Sequence, residues 1–157
     1  MSRRTARHTA RSTSEPTLLY LLKQVELAVR ARLDDMLRQA GLTALQYTAM
    51  TVLEGHPDLT ASQLARRSFV TAQSMADMVT ALLSRDLIER HRDPADRRRL
   101  VLALTPAGYE VLDEYRPKVA DLEAEMLSGL TRPQAVALRE AILACRQALA
   151  GKPDERH

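Results

Sequence analysis

A mainly α-helical fold carrying one small β-hairpin is predicted by three features of this sequence. Helix-start signals punctuate it: Thr43-Ala-Leu-Gln46, Thr60-Ala-Ser-Gln63 and Thr131-Arg-Pro-Gln134 each set a threonine three residues ahead of a glutamine. At that spacing the hydroxyl accepts from the N3 amide while the glutamine reaches back to the cap amide. Between these marks apolar residues recur every three or four positions, the period of one helix face. Only Leu100-Val-Leu-Ala-Leu104 departs from that period, with large side chains at 100, 102 and 104, as in a short strand.

The elements then follow in chain order. Pro16, with Ser14 or Glu15 ahead of it, opens the first helix, and Gly41 sits where a left-handed cap ends it. Its apolar residues run Leu18, Leu22, Val25, Val29, Leu33, Met36, Ala40. At about 25 residues this helix is about 37 Å long. Three short helices follow, opened by Thr43, Thr60 and Thr71. In the third, Ala72, Met75, Ala76, Val79, Leu82 and Leu83 are the expected buried stripe. Leu87-Ile-Glu-Arg90 is the expected partner of the 100–104 strand, and Asp93-Pro94 and Asp96 make the turn between them. Thr105-Pro106 starts the next helix, with proline at the first helical position. Leu112, Tyr115, Val119, Leu122, Met126 and Leu130 form its seam, and Ala135, Leu138, Ile142, Cys145 and Leu149 form that of the last helix. Such three-four seams belong to helices packed lengthwise. One small domain cannot bury them all, so a homodimer built from the two termini is expected.

Composition narrows the function. In 157 residues, 45% are apolar and 27% charged, a globular balance with no apolar run long enough for a membrane span. One cysteine excludes a disulfide framework and a cysteine-based zinc site. His8, His56, His91 and His157 are scattered, so no metal site and no cofactor is expected. No phosphate loop or nucleophile elbow is present, which argues against an enzyme. Three per cent aromatic residues and no tryptophan argue against stacking on single-stranded nucleic acid. Residues 1–13 carry Arg3, Arg4, Arg7 and Arg11 with no acid before Glu15. They read as a solvated basic tail that could add phosphate contacts. No apolar core follows those charges as a secretory signal requires, so the cytoplasm is the expected compartment.

The functional constellation lies between Thr60 and Leu104. The third short helix begins with uncharged hydrogen-bonding side chains, Thr71, Gln73 and Ser74. A recognition helix needs such residues at its N-terminal turn, where they meet base edges in the major groove. The hairpin that follows carries Arg90, Arg92, Arg97, Arg98 and Arg99. An arginine tip can follow a phosphate backbone or enter a narrow minor groove. At least one of Asp93 and Asp96 is expected to fold inward and hold an arginine, Asp96 being the candidate wing support. Helix, recognition helix and basic hairpin in this order make a winged helix-turn-helix. Residues 43–105 would form that lobe, and residues 14–42 and 106–151 the dimerisation helices.

Leu64-Ala65, Asp86-Leu-Ile-Glu-Arg90, Asp93-Pro-Ala-Asp-Arg-Arg98 and Leu100-Val-Leu-Ala-Leu-Thr105 together resemble the signature of the MarR (multiple antibiotic resistance regulator) family. The Asp96-x-Arg98 element, followed by a strand ending in Leu-Thr, is the most specific stretch, and the resemblance spans roughly residues 16–150. It implies a homodimeric transcription factor, usually a repressor relieved by a small molecule, with Arg98 or its neighbour Arg97 as the wing's minor-groove residue. Where the family usually places glycine before the first wing strand, this chain has Asp86.

The expected function is therefore sequence-specific binding of double-stranded DNA at a pseudo-palindromic operator. Thr71, Gln73 and Ser74 would read bases, and Arg92, Arg97, Arg98 and Arg99 would serve in the wing. Thr43, Ser62, Gln63 and Arg66 would hold phosphates. For a phenolic or other anionic effector, which the resemblance implies, the candidates are Tyr20, Lys23, Tyr47, Met50 and Tyr115. Cys145 lies among seam positions, where burial as a small hydrophobe is expected. The alternatives are a constitutive or redox-responsive regulator and a winged-helix module that meets an acidic protein.

Overall fold

A computed structural model of the protein describes residues 14–150; the basic arm expected over residues 1–13 lies outside them. Helix α1 spans Leu18–Leu37, and a 3-10 turn over Arg38–Ala40 continues it. Its start falls later than the sequence suggests. Thr17 is the cap, accepting from the Tyr20 amide at 3.2 Å, which leaves Pro16 outside the helix. A compact lobe follows as α2 (Ala44–Gly55), α3 (Ala61–Arg67) and α4 (Ala72–Ser84), then β1 (Ile88–Arg92) and β2 (Leu100–Leu104). Long helices α5 (Pro106–Leu127) and α6 (Arg132–Ala150) complete the chain.

The threonine-glutamine boxes form at the starts of α2 and α3, and the same reciprocal bonds join Thr131 and Gln134 at the start of α6. Thr71 accepts from the Ser74 amide at 3.1 Å and Thr105 from the Gly108 amide at 3.1 Å, capping α4 and α5. Three helix ends use one device. At Gly41, Phe69 and Asp86 the backbone turns left-handed, with φ of 65, 56 and 53 degrees. In each case the next residue's amide reaches back five residues: Leu42 to Leu37, Val70 to Ala65, Leu87 to Leu82. This is the Schellman closure, which usually recruits glycine; here only the first does.

Strands β1 and β2 pair antiparallel, Ile88 opposite Leu104 and Arg92 opposite Leu100. The first strand thus begins and ends later than its Leu87–Arg90 estimate, because Leu87 is spent closing α4. Leu59 forms an isolated antiparallel bridge to Leu102 on the edge of β2 away from β1. Strand β2 does not alternate cleanly: Leu100 is exposed, while Val101 and Leu102 are both buried.

The core joins α1, α2, α4, the hairpin and α5 around Leu37, Met50, Leu53, Met75, Leu82 and Leu112. On α4 the buried stripe is Met75, Met78, Val79 and Leu82; Met78 replaces the expected Ala72 and Ala76, which face out. The longer thioether reaches the core that a methyl cannot. Gly108 lets α5 lie on the root of the hairpin, since a Cβ there would come 2.2 Å from the Leu87 carbonyl oxygen. Helix α5 continues through Pro117, which removes one intrahelical bond. By contrast α6 buries no residue at all. Cys145 is exposed on this chain, against the burial its seam position suggests. No helix among the described residues is long and apolar enough to cross a membrane.

Candidate nucleic-acid interface

Helix α4 is anchored from behind and bare in front. Its stripe of Met75, Met78, Val79 and Leu82 seats it on the core, and Arg85 at its end donates to the carbonyls of Ala40 and Gly41 (2.8 Å to Gly41). Those carbonyls are the orphan acceptors at the close of α1, where a cation is favoured. Asp34 of α1 accepts from the Ala44 amide at 2.6 Å, capping the first turn of α2. Two polar ties therefore fix the lobe to the end of α1. Neither is legible from local sequence, because each joins residues of different elements.

Thr71, Gln73 and Ser74 are all exposed at the start of α4. The Thr71 hydroxyl donates to Ser74 Oγ at 3.1 Å, so these two side chains are already engaged with each other. Gln73 points outward, its amide 3.5 Å from Asp77 Oδ1. Thr43 and Ser74 open onto one shared groove of about 690 Å³ that Arg30, Asp34 and Arg38 also line. Ser62 and Arg66 are exposed on α3.

The hairpin tip is a pinned loop. Asp93 Oδ1 accepts from the Ala95 amide at 2.9 Å, while backbone bonds run from Asp93 to Arg99 and from Arg99 to Asp96. Asp96 accepts from both the Arg98 amide and its Nε at 3.1 Å. Those Arg98 hydrogen bonds hold the Asp96 carboxyl below the usual carboxylate range. Despite this tie the Arg98 side chain stays 92% exposed, a guanidinium oriented and presented at the same time. Arg92 donates to the Arg97 carbonyl at 3.2 Å. Arg99 turns the other way: it donates to Gln63 Oε1 at 3.2 Å and lies 3.8 Å from Asp93. Gln63 is the capping glutamine of α3, so the wing and the helix-turn-helix share one side chain. At the wing root His91 Nε2 and Asp58 Oδ1 are 2.8 Å apart, a contact between separate elements that no local sequence signal marks.

The five effector candidates are not gathered in one place. Met50, Tyr47 and Tyr115 belong to the core, where burial pushes the Tyr47 hydroxyl up. Tyr20 and Lys23 stand exposed on the outer half of α1, with Lys23 paired to Glu26 at 3.1 Å. Lys118 rests over the Tyr115 ring, 4.9 Å from its centre. Among the described residues no group of three or more histidine, cysteine or acidic side chains could hold a metal.

The chain is similar to several known proteins. The sequence pattern of the MarR family matches residues 40–99. The transcriptional regulator HosA of Escherichia coli O111:H- is 30% identical over 90 residues, 57% of this chain and 67% of its own length. The HTH-type transcriptional repressor Rv2887 of Mycobacterium tuberculosis H37Rv is 29% identical over 115 residues, covering 73% of this chain and 83% of the repressor. In the crystal structure of the Staphylococcus aureus MepR–DNA complex the protein shares the fold, with a TM-score of 0.73, 21% identity, and 85% and 99% of the two chains covered. With its winged helix-turn-helix between long terminal helices, the chain belongs to the MarR family of transcriptional regulators.

Proposed function

We propose that this protein is a homodimeric repressor that binds a pseudo-palindromic duplex site, two α4 helices entering major grooves about one helical turn apart, roughly 34 Å. The observation that carries the reading is the presentation of Arg98: held by Asp96, yet 92% exposed at the tip of a hairpin fixed beside the recognition helix. An arginine kept in one pose loses less entropy on entering a minor groove. Residues 43–105 form the DNA-reading lobe. Thr71, Gln73 and Ser74 face the bases, Arg92, Arg97 and Arg98 the backbone and minor groove, and Thr43, Ser62 and Arg66 the phosphates. Gln63 and Arg99 act together as a strut from α3 to the wing. Repression follows from occupying the site against polymerase.

The second copy would cover the apolar residues of the terminal helices: Leu18, Leu22 and Val25 on α1, and Val136, Ile142 and Leu149 on α6, all exposed on one chain. Helix α6 buries no residue within one chain, whereas most helices in proteins are stabilised by packing an apolar face, which supports a partner along α6. A small anionic effector completes the reading. Between α1 and α2 lies an apolar groove of about 330 Å³, floored by Leu33 and Leu45 and edged by Arg30 and its ion-pair partner Glu26, which an anionic ligand would displace. A carboxylate bound there would pull on the same α1–α2 junction that Asp34 fixes.

Fluorescence anisotropy with the DNA upstream of the protein's own gene, across a salt series and beside a scrambled duplex, tests the proposal. Tight, salt-steep binding to the upstream DNA alone is expected. Arg98→Ala should weaken it and flatten the salt slope by about one contact per subunit. Equally weak binding to both duplexes would overturn the reading.

A further inference from the structure

Helix α4 presents an unexpected centre. Successive side chains turn by about 100°, so the direction opposite the buried Met75, Met78, Val79 and Leu82 is held by Gln73, Asp77, Thr80 and Ser84, all exposed. The hydroxyls of Thr80 and Ser84 donate to the helix's own carbonyls of Ala76 and Ala81, at 3.0 and 2.8 Å, which leaves them as acceptors. Asp77 is the one charged residue of the thirteen in α4. It makes no ion pair among the described residues; its neighbour on the same face is the Gln73 amide at 3.5 Å. A recognition helix whose only charge is negative, at the centre of its outward face, is not built to hold phosphates.

We infer that Asp77 selects cytosine in the operator half-site, its carboxylate accepting from the N4 amino group in the major groove. The inference rests on the DNA-reading function proposed above. A carboxylate only accepts hydrogen bonds. Guanine and thymine offer it acceptors at the same groove edge, and adenine sets its N7 acceptor beside the N6 donor; cytosine alone offers an amino donor without an adjacent acceptor. The phosphates repel the carboxylate wherever it goes, so Asp77 costs affinity on every duplex and recovers it on those with cytosine in place. The residue therefore sharpens the difference between sites more than it strengthens binding. In a two-fold dimer the same base recurs on the opposite strand of the other half-site.

Selection of binding sites from a random duplex pool tests this with the full chain, Asp77→Asn and Asp77→Ala. Thermal melting of the three proteins should agree, because residue 77 is exposed. The unsubstituted chain should select cytosine at one position per half-site, and replacing that base should cost it on the order of tenfold in affinity. Asp77→Asn should exchange the cytosine for adenine and keep every other selected base, since an amide pairs with adenine N6 and N7. Asp77→Ala should leave that position unselected. Identical selected sequences for all three proteins would overturn the inference and leave the DNA-reading function standing; so would a variant that only tightens on every duplex alike, as loss of a solvated acid does. An unsubstituted chain that selects no sequence at all would overturn both.

Discussion

Phe69 holds a left-handed backbone, φ 56 degrees, with 87% of its surface exposed, in the reversal between α3 and α4. A side chain in that region costs about 1–2 kcal/mol, and the exposed ring recovers little by burial. Phe69→Gly should therefore stabilise the protein by about 0.5–1 kcal/mol, once glycine's greater freedom in the unfolded chain is counted. The urea midpoint of unfolding checks this; an unchanged or lower midpoint would mean the ring makes a stabilising contact. Asp86 meets the same demand at lower cost, since aspartate tolerates the left-handed region. The capping threonines were legible in the sequence because each bonds three residues along its own chain. The strain at Phe69 was not, because the turn between two packed helices imposes it and nothing in a phenylalanine announces it.

The contact of α5 with the hairpin root shows how one element positions another. Gly108 lies against the Leu87 backbone, and Thr105 Oγ1 donates to the Asp86 carbonyl at 2.6 Å. A methyl group at 108 has a backbone carbonyl in its way, which cannot swing aside as a side-chain tip does. Gly108→Ala is expected to destabilise by about 1–3 kcal/mol despite alanine's better helix propensity. A chemical melt measures it, and a gain in stability would show that α5 can move off the hairpin freely. Elsewhere the long helices are joined by exposed ion pairs. Arg32 of α1 grips Glu125 of α5 through both oxygens, at 3.0 and 2.6 Å, and these hydrogen bonds hold the Glu125 carboxyl below its ordinary range. With its folded-state value lowered, any contribution of that pair is present above the unfolded value and is lost as pH falls through the folded one. Helix existence and order were readable from period and caps, and so was the hairpin. The strand limits were not, because Leu87 closes α4 before β1 can begin.

At the scale of the molecule the imbalance lies between a lobe with a complete core and terminal helices without one. Leu37, Met50 and Leu112 are fully buried, while Ile142 and Leu149 of α6 remain 49% and 87% exposed. On the proposed dimer, Ile142→Glu would place a charge in the seam between copies. It should shift sedimentation from dimer to monomer, and operator affinity should drop by at least about tenfold, because one half-site holds less than two. A variant that sediments as a dimer and binds unchanged would put the interface elsewhere. The local part of this protein was determined by its sequence alone: cap boxes and helical seams depend on residues within one or two turns of each other, and the hairpin and the family pattern on short motifs in fixed order along the chain. Only the tertiary structure decided which direction α4 faces, that Arg99 turns back to Gln63 across 36 residues, and that Arg85 reaches Gly41 across 44. Those outcomes depend on how buried surfaces stack, and sequence spacing carries no record of distance between separate elements.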